Sequence, residues 1–90
     1  MNIEELDWDD NNIEHIARHN VTPEEVANVC FGFHIYVRES NQRYVLGGQS
    51  AGGRYLNVVI EHLGKGVFRP VTAFEMSENY KRRFKKIAGK

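Results

Sequence analysis

Three residues in the second half of the chain, one histidine and two arginines, have the types and spacing that metal-free RNA cleavage requires. Period-two counting places Arg54 and His62 on the same side of one predicted strand, and Arg69 follows on the next strand after a short turn. A histidine can take the proton of a 2′-hydroxyl, while arginines stabilise the charge of the transition state. We therefore predict that His62, Arg69 and Arg54 share a sheet face as catalytic residues, although cations also flank apolar strands for solubility alone.

A dense group of cations near the carboxyl end predicts a surface for phosphates. Five lysines and arginines leave only three apolar residues for packing in this segment, so several of the cations must face solvent or an anion. Such contacts bind a phosphate backbone without reading sequence. The residues predicted to bind RNA are Lys81, Arg82, Arg83, Lys85 and Lys86, together with Lys65 in a glycine-flanked turn.

Other kinds of chemistry have weaker support in this sequence. His15 and His19 have the helical spacing of two metal ligands, but two ligands do not make a site, and the sequence predicts no metal and no cofactor. Cys30 falls on the apolar side of a predicted helix, as a small core residue does. The remaining candidates are interpreted as turn or cap residues. They are the glycines at 47, 48, 52 and 53 and the serines at 40, 50 and 77.

Three helices are indicated by apolar spacing and by capping residues. The first runs from Asp10 to His19, where Asn20 provides a left-handed end, and the second begins at the capping residue Thr22 and ends at Gly32. Ser77 caps the third. Their predicted buried residues are Ile13, Ile16 and Ala17 in the first helix, Val26, Val29 and Cys30 in the second, and Tyr80, Phe84 and Ile87 in the third.

Between the second and third helices the pattern changes to period two and predicts four strands, over residues 33–38, 43–50, 54–62 and 67–74. Their connections are too short for a crossover helix, so the strands should form an antiparallel meander. Pro70 cannot donate to a ladder and indicates an edge or a bulge. The predicted fold class is α+β, with two leading helices, a four-stranded antiparallel sheet and a basic closing helix in one domain over residues 1–90.

The charges are divided along the chain although the formal net charge is zero. Residues 1–40 hold nine acids and two bases, whereas residues 41–90 hold ten bases and three acids. This asymmetry favours an anion-binding face formed by the second half, although charges scattered over a solvated surface would give the same count. A single cysteine, the lack of a long apolar run and an amino-terminal segment unlike a secretory signal predict a cytoplasmic protein.

The order of several short motifs resembles the BrnT-type toxins of bacterial type II toxin–antitoxin modules, which are small ribonucleases of the RelE-like fold. The resemblance covers nearly the whole chain, but Asn20 stands where the family often has glycine, and Asn11 and Asn12 stand where it has a lysine. The matching segments are Trp8-Asp9, Arg18-His19-Asn20-Val21, Thr22-Pro23-Glu24-Glu25-Val26, Gly53-Arg54-Tyr55-Leu56, Val58-Val59, Arg69-Pro70-Val71-Thr72-Ala73, Met76-Ser77 and Tyr80-Lys81-Arg82-Arg83-Phe84.

This resemblance implies an endoribonuclease that arrests translation and is held inactive by a cognate antitoxin protein. Arg54, Arg69 and the basic helix residues are the matched positions, whereas His62 rests on strand geometry alone. The alternative is a non-catalytic binding module that acts through antitoxin association and operon regulation. Both hypotheses predict a protein partner, and neither predicts a membrane.

Overall fold

The period-two segments form a sheet and the segments with helical spacing form three helices, in a computed structural model that describes residues 1–89. The fold class is α+β, as the sequence predicts. The elements are β1 (Glu5–Leu6), α1 (Asp10–Ala17), α2 (Pro23–Phe31), β2 (His34–Arg38), β3 (Arg43–Gln49), β4 (Tyr55–Gly64), β5 (Val67–Glu75) and α3 (Glu78–Ile87).

The sheet has five strands in the order β1-β5-β4-β3-β2, so the prediction of four strands is wrong by one. Strands β2 to β5 pair antiparallel with their neighbours in the chain, whereas β1 pairs parallel with β5 through Glu5 and Leu6. Two residues cannot show an alternating pattern, which is why β1 left no signal in the sequence. The sheet is therefore mixed rather than purely antiparallel.

The predicted helix caps are present. Thr22 and Glu25 form a reciprocal capping box at α2, the Ser77 side chain accepts from the Tyr80 N–H at α3, and Asn20 has φ +58° after α1. The predicted buried residues are only partly confirmed. Val26, Val29, Cys30, Ile16 and Phe84 are buried, whereas Ile13, Ala17 and Ile87 are exposed and Tyr80 is half-buried.

Two successive glycines of β3 show how the helices are layered on the sheet. A Cβ at Gly48 would lie 2.9 Å from Val29 of α2, and a Cβ at Gly47 would lie 2.8 Å from the Tyr80 ring of α3. Successive residues of a strand point to opposite faces. Helix α2 therefore covers one face and α3 the other, and Gly47 and Gly48 are strand residues that admit close packing rather than the predicted turn residues.

A bulge in β5 changes which of its residues share a face. Val59 pairs with Thr72, but the next residue, Ile60, pairs with Pro70, so Val71 is an extra residue in β5. The predicted irregularity at Pro70 is confirmed as a bulge. Within residues 1–89, strand β1 pairs only with Val67 and Phe68 of β5, so Pro70 lies beyond the part of β5 that β1 covers.

Helix α1 is held against β5 by one buried amide, that of Asn12. Its Nδ2 donates to the carbonyl oxygens of Asp7 and Pro70, at 3.0 and 3.1 Å, and its Oδ1 accepts from the Asp9 N–H at 2.9 Å. The side chain thus satisfies a carbonyl next to the bulge and completes the capping box of α1.

Replacing Asn12 by alanine is expected to lower the free energy of unfolding by about 2 kcal/mol, because a buried carbonyl acceptor loses its donor. Urea denaturation of the variant measures this loss. The exposed neighbour provides the control, since Asn11→Ala should change stability by less than about 0.5 kcal/mol. Equal effects of the two substitutions would contradict the role assigned to Asn12.

Candidate nucleic-acid interface

His62 and Arg69 lie on opposite faces of the sheet, so the prediction that they share one is wrong. Arg69 pairs directly with Glu61, whereas His62 pairs with Phe68 and stacks on its ring with centroids 4.6 Å apart. The period-two count along β5 fails because the bulge adds Val71 between Arg69 and the residues that follow. The extra residue reverses the face on which Arg69 lies.

Arg54 is far from both of these residues. It precedes β4, whose first residue is Tyr55, and eight residues of strand separate it from His62, or roughly 25 Å. Its guanidinium donates to both Glu25 carboxylate oxygens at 2.9 and 3.0 Å and to the Asn20 carbonyl at 2.7 Å. Arg54 therefore ties the start of β4 to the amino-terminal end of α2.

Arg69 is half-buried and bound by acids from the first half of the chain. Its Nη1 lies 2.6 Å from Asp9 Oδ2 and 3.9 Å from Asp7 Oδ2. Asp9 also caps α1 through its other oxygen, which accepts from the Asn12 N–H. The hydrogen bond from Arg69, followed by that from Asn12, holds the pKa of Asp9 below its ordinary value of 3.8.

A cleft of about 190 Å³ opens beside Arg69 on the face that bears Glu61. Its polar lining combines two arginines, an acid and an imidazole, which are the groups that phosphate binding and proton transfer use. The sequence alone does not associate these residues, because the pairing of Glu61 with Arg69 depends on the bulge. The cleft is lined by Asn11, Asn12, His15, Arg43, Glu61, Arg69, Pro70 and Val71.

The cations of α3 form a surface of their own, which we call the α3 basic surface (Lys81, Arg82, Arg83, Lys85 and Lys86). Within residues 1–89 none of them forms an ion pair. The Nζ atoms of Lys81 and Lys85 lie 4.9 and 5.2 Å from the centre of the Tyr55 ring. The surface therefore combines unneutralised charge with an aromatic ring.

The α3 basic surface and the Arg69 cleft lie on the same face of the sheet. Tyr80 of α3 packs over Gly47, and Gly47 and Arg43 point to the same face of β3 because they are four residues apart. Arg43 pairs with Glu61, which pairs in turn with Arg69. Four residues of strand, or roughly 13 Å, separate the helix from the cleft along β3.

Lys65 is exposed in the turn between β4 and β5, with φ +53°. This turn follows His62, at the end of β4 opposite to Arg54. The structure therefore does not bring Lys65 together with the α3 basic surface.

The described part of the chain contains no assembled metal-binding site and no reactive thiol. No group of three metal-ligating side chains occurs within residues 1–89, and the His15 and His19 rings, 5.9 Å apart, are both exposed. Cys30 is buried in the core as predicted, and this burial raises the pKa of its thiol to about 12. Among the same residues, no helix is long and apolar enough to cross a membrane.

The chain matches no protein-family model, and no curated protein matches it significantly.

The Arg69–Asp9 pair makes a testable, pH-dependent contribution to stability. A carboxylate whose pKa is lowered by folding stabilises the fold above its unfolded-state pKa, and this stabilisation is lost as the pH falls through its folded-state pKa. The parent should therefore melt above the Arg69→Ala variant at about pH 6, and the difference in Tm should shrink below about pH 3.8. Thermal melts across this range measure it. A Tm difference that stays constant down to about pH 2 would show that Asp9 is not the partner that matters.

Proposed function

We propose that this chain is the toxin component of a bacterial type II toxin–antitoxin module and acts on RNA as a metal-independent endoribonuclease. The observation that carries the proposal is the placement of the α3 basic surface and the Arg69 cleft on one sheet face. The α+β architecture agrees with the fold class that the resemblance to BrnT-type toxins implies. A cognate antitoxin protein would be the second partner.

The two surfaces supply complementary parts of an RNA-binding path. The α3 basic surface offers phosphates a row of cations, two of which, Lys81 and Lys85, lie over the Tyr55 ring. Single-stranded RNA can follow such a path without sequence readout, because every nucleotide carries a phosphate. The strand would then reach the cleft where Arg69 lies.

Within the cleft, Arg69 is the group suited to a phosphate. Its planar guanidinium can donate to two phosphate oxygens at once, in place of the Asp9 carboxylate that it binds in the absence of RNA. His15 and Glu61 line the same cleft and are the groups suited to proton transfer. His62 and Arg54, which period-two counting placed with Arg69, have no part in this proposal. His62 lies on the other face of the sheet, and Arg54 lies at the other end of β4.

The RNA path is tested by the salt dependence of binding. Each phosphate neutralised on a single strand contributes about −0.7 to the slope of log affinity against log salt. Replacing Arg82 and Arg83 by alanine should therefore flatten that slope by about one to two units. Fluorescence anisotropy with a labelled single-stranded RNA at several salt concentrations measures it. As the control, Arg18→Ala at the C-cap of α1 should leave the slope unchanged, and an unchanged slope for the α3 variant would place the RNA surface elsewhere.

A second candidate function, a non-catalytic binding module, is favoured by the ion pairs of the two matched arginines. Arg54 and Arg69 are both bound by carboxylates, and each bond joins separate elements of the fold. Such structural bonds would account for arginines at the two positions that match the BrnT-type toxins without requiring that either one is catalytic. The two functions differ in one result, since the module would bind its protein partner and leave RNA intact.

A further inference from the structure

We infer that the β2 edge of the sheet binds an extended, acidic segment of a protein partner, which adds a sixth strand to the sheet. This inference adds detail to the protein partner of the proposed function. It depends on that function in one respect only, which is that the partner is an antitoxin. It is carried by three observations: an unpaired strand edge, an apolar groove beside it and unneutralised arginine and lysine at the rim of that groove.

Strand β2 is the last in the sheet order and, among residues 1–89, pairs only with β3. The N–H of Glu39, which follows β2, donates to the Arg43 carbonyl on the β3 side at 2.8 Å. Because N–H groups alternate in direction along a strand, those of Arg38, Tyr36 and His34 point away from β3. These outward groups are the ones that an added strand would use.

A groove of about 210 Å³ lies between β2 and α3. Its rim is unusually apolar for a surface, since Val37 is 59% exposed and Ile87 is 60% exposed. The lining consists of Ile35, Tyr36, Val37, Tyr80, Arg83 and Ile87. A strand bound along β2 would place alternate side chains in this groove.

The positive charge at the rim of the groove favours an acidic partner. Arg83 lines the groove, Lys86 and Arg82 are adjacent to it on α3, and none of these three has an acidic partner within residues 1–89. Pairing between two copies of β2 would bring these cations together and be disfavoured. A segment in which apolar residues alternate with acids fits both the groove and its rim.

The test uses a fluorescein-labelled peptide of about ten residues in which valine alternates with glutamate, the length of a long strand. We expect one peptide to bind per chain, and to bind at least about tenfold more tightly than a peptide with lysine in place of glutamate. Arg83→Glu should weaken binding about tenfold, whereas Arg18→Glu should not, because Arg18 is the C-cap of α1, which packs beside β5 rather than β2. Equal binding of the glutamate and lysine peptides would overturn the inference.

Backbone pairing is tested at Tyr36. Tyr36→Pro and Tyr36→Ala both lose the ring, but only the proline variant also loses the outward N–H, so only it should fail to bind the peptide. In the unmutated protein, the peptide should slow hydrogen exchange at the Tyr36 and Arg38 amides at least about tenfold, a readout that does not depend on either variant folding. Unchanged exchange would overturn the inference, and so would self-association of the chain through this edge. None of these measurements contains RNA, so their failure is distinct from failure of the ribonuclease proposal.

Discussion

Replacing Phe84 by alanine should lower the free energy of unfolding by about 3–5 kcal/mol, the largest stability effect expected in this chain. Phe84 is 1% exposed and is the buried side chain that fixes α3 to the sheet, with ring centroids 6.1 Å from Phe33 and 6.0 Å from Tyr55. Its removal leaves a cavity between the basic helix and the strands. Urea denaturation measures the loss, and RNA affinity should fall with it because the helix positions the cations.

The matched control for Phe84 lies one turn further along the same helix. Ile87 is 60% exposed, so Ile87→Ala should change stability by less than about 0.5 kcal/mol. If Ile87→Ala were as destabilising as Phe84→Ala, α3 would pack through a different side from the one described.

Replacing Arg69 by alanine should lower the rate of RNA cleavage about 100- to 1000-fold, the effect of losing one preorganised donor to a transition state. The residue lies on a strand, where its guanidinium is held more rigidly than on a loop. Arg69→Lys should also lose most activity, because an ammonium is a point charge and cannot donate to two phosphate oxygens in the same geometry. Single-turnover cleavage of a labelled RNA measures both variants.

Asp9→Asn separates catalysis by Arg69 from its structural bond to Asp9. Asparagine is as good an N-cap as aspartate, so α1 is retained while the ion pair is lost. If Arg69 acts on RNA, Asp9→Asn should keep its cleavage activity while Arg69→Ala loses it. If Arg69 serves only to bind Asp9, the two variants should have the same activity, and the assignment of Arg69 to catalysis would be wrong.

Local features of the sequence predicted the helices and most of the sheet well. The Thr22 and Glu25 capping box, the Ser77 cap and the left-handed Asn20 each depend on residues close in sequence, and all three are present. The α+β class follows from the same features, because the change of period between helix and strand needs no long-range information.

The candidate site could not be predicted to the same extent, because its geometry depends on register and on long-range ion pairs. Pro70 indicated the irregularity, but no local pattern says on which strand the extra residue lies, and Val71 decides the face of Arg69. The bonds from Arg69 to Asp9 and from Arg54 to Glu25 join residues 60 and 29 positions apart. Charge type alone does not choose such partners.

Cleavage of RNA by the purified protein tests the central claim most directly. Total cellular RNA incubated with the chain in excess chelator should be cut into fragments, in amounts that increase with protein concentration, because arginine and acid–base groups need no divalent metal. Adding magnesium should not be required for the reaction. RNA that stays intact at every protein concentration, with and without metal, would contradict the ribonuclease proposal.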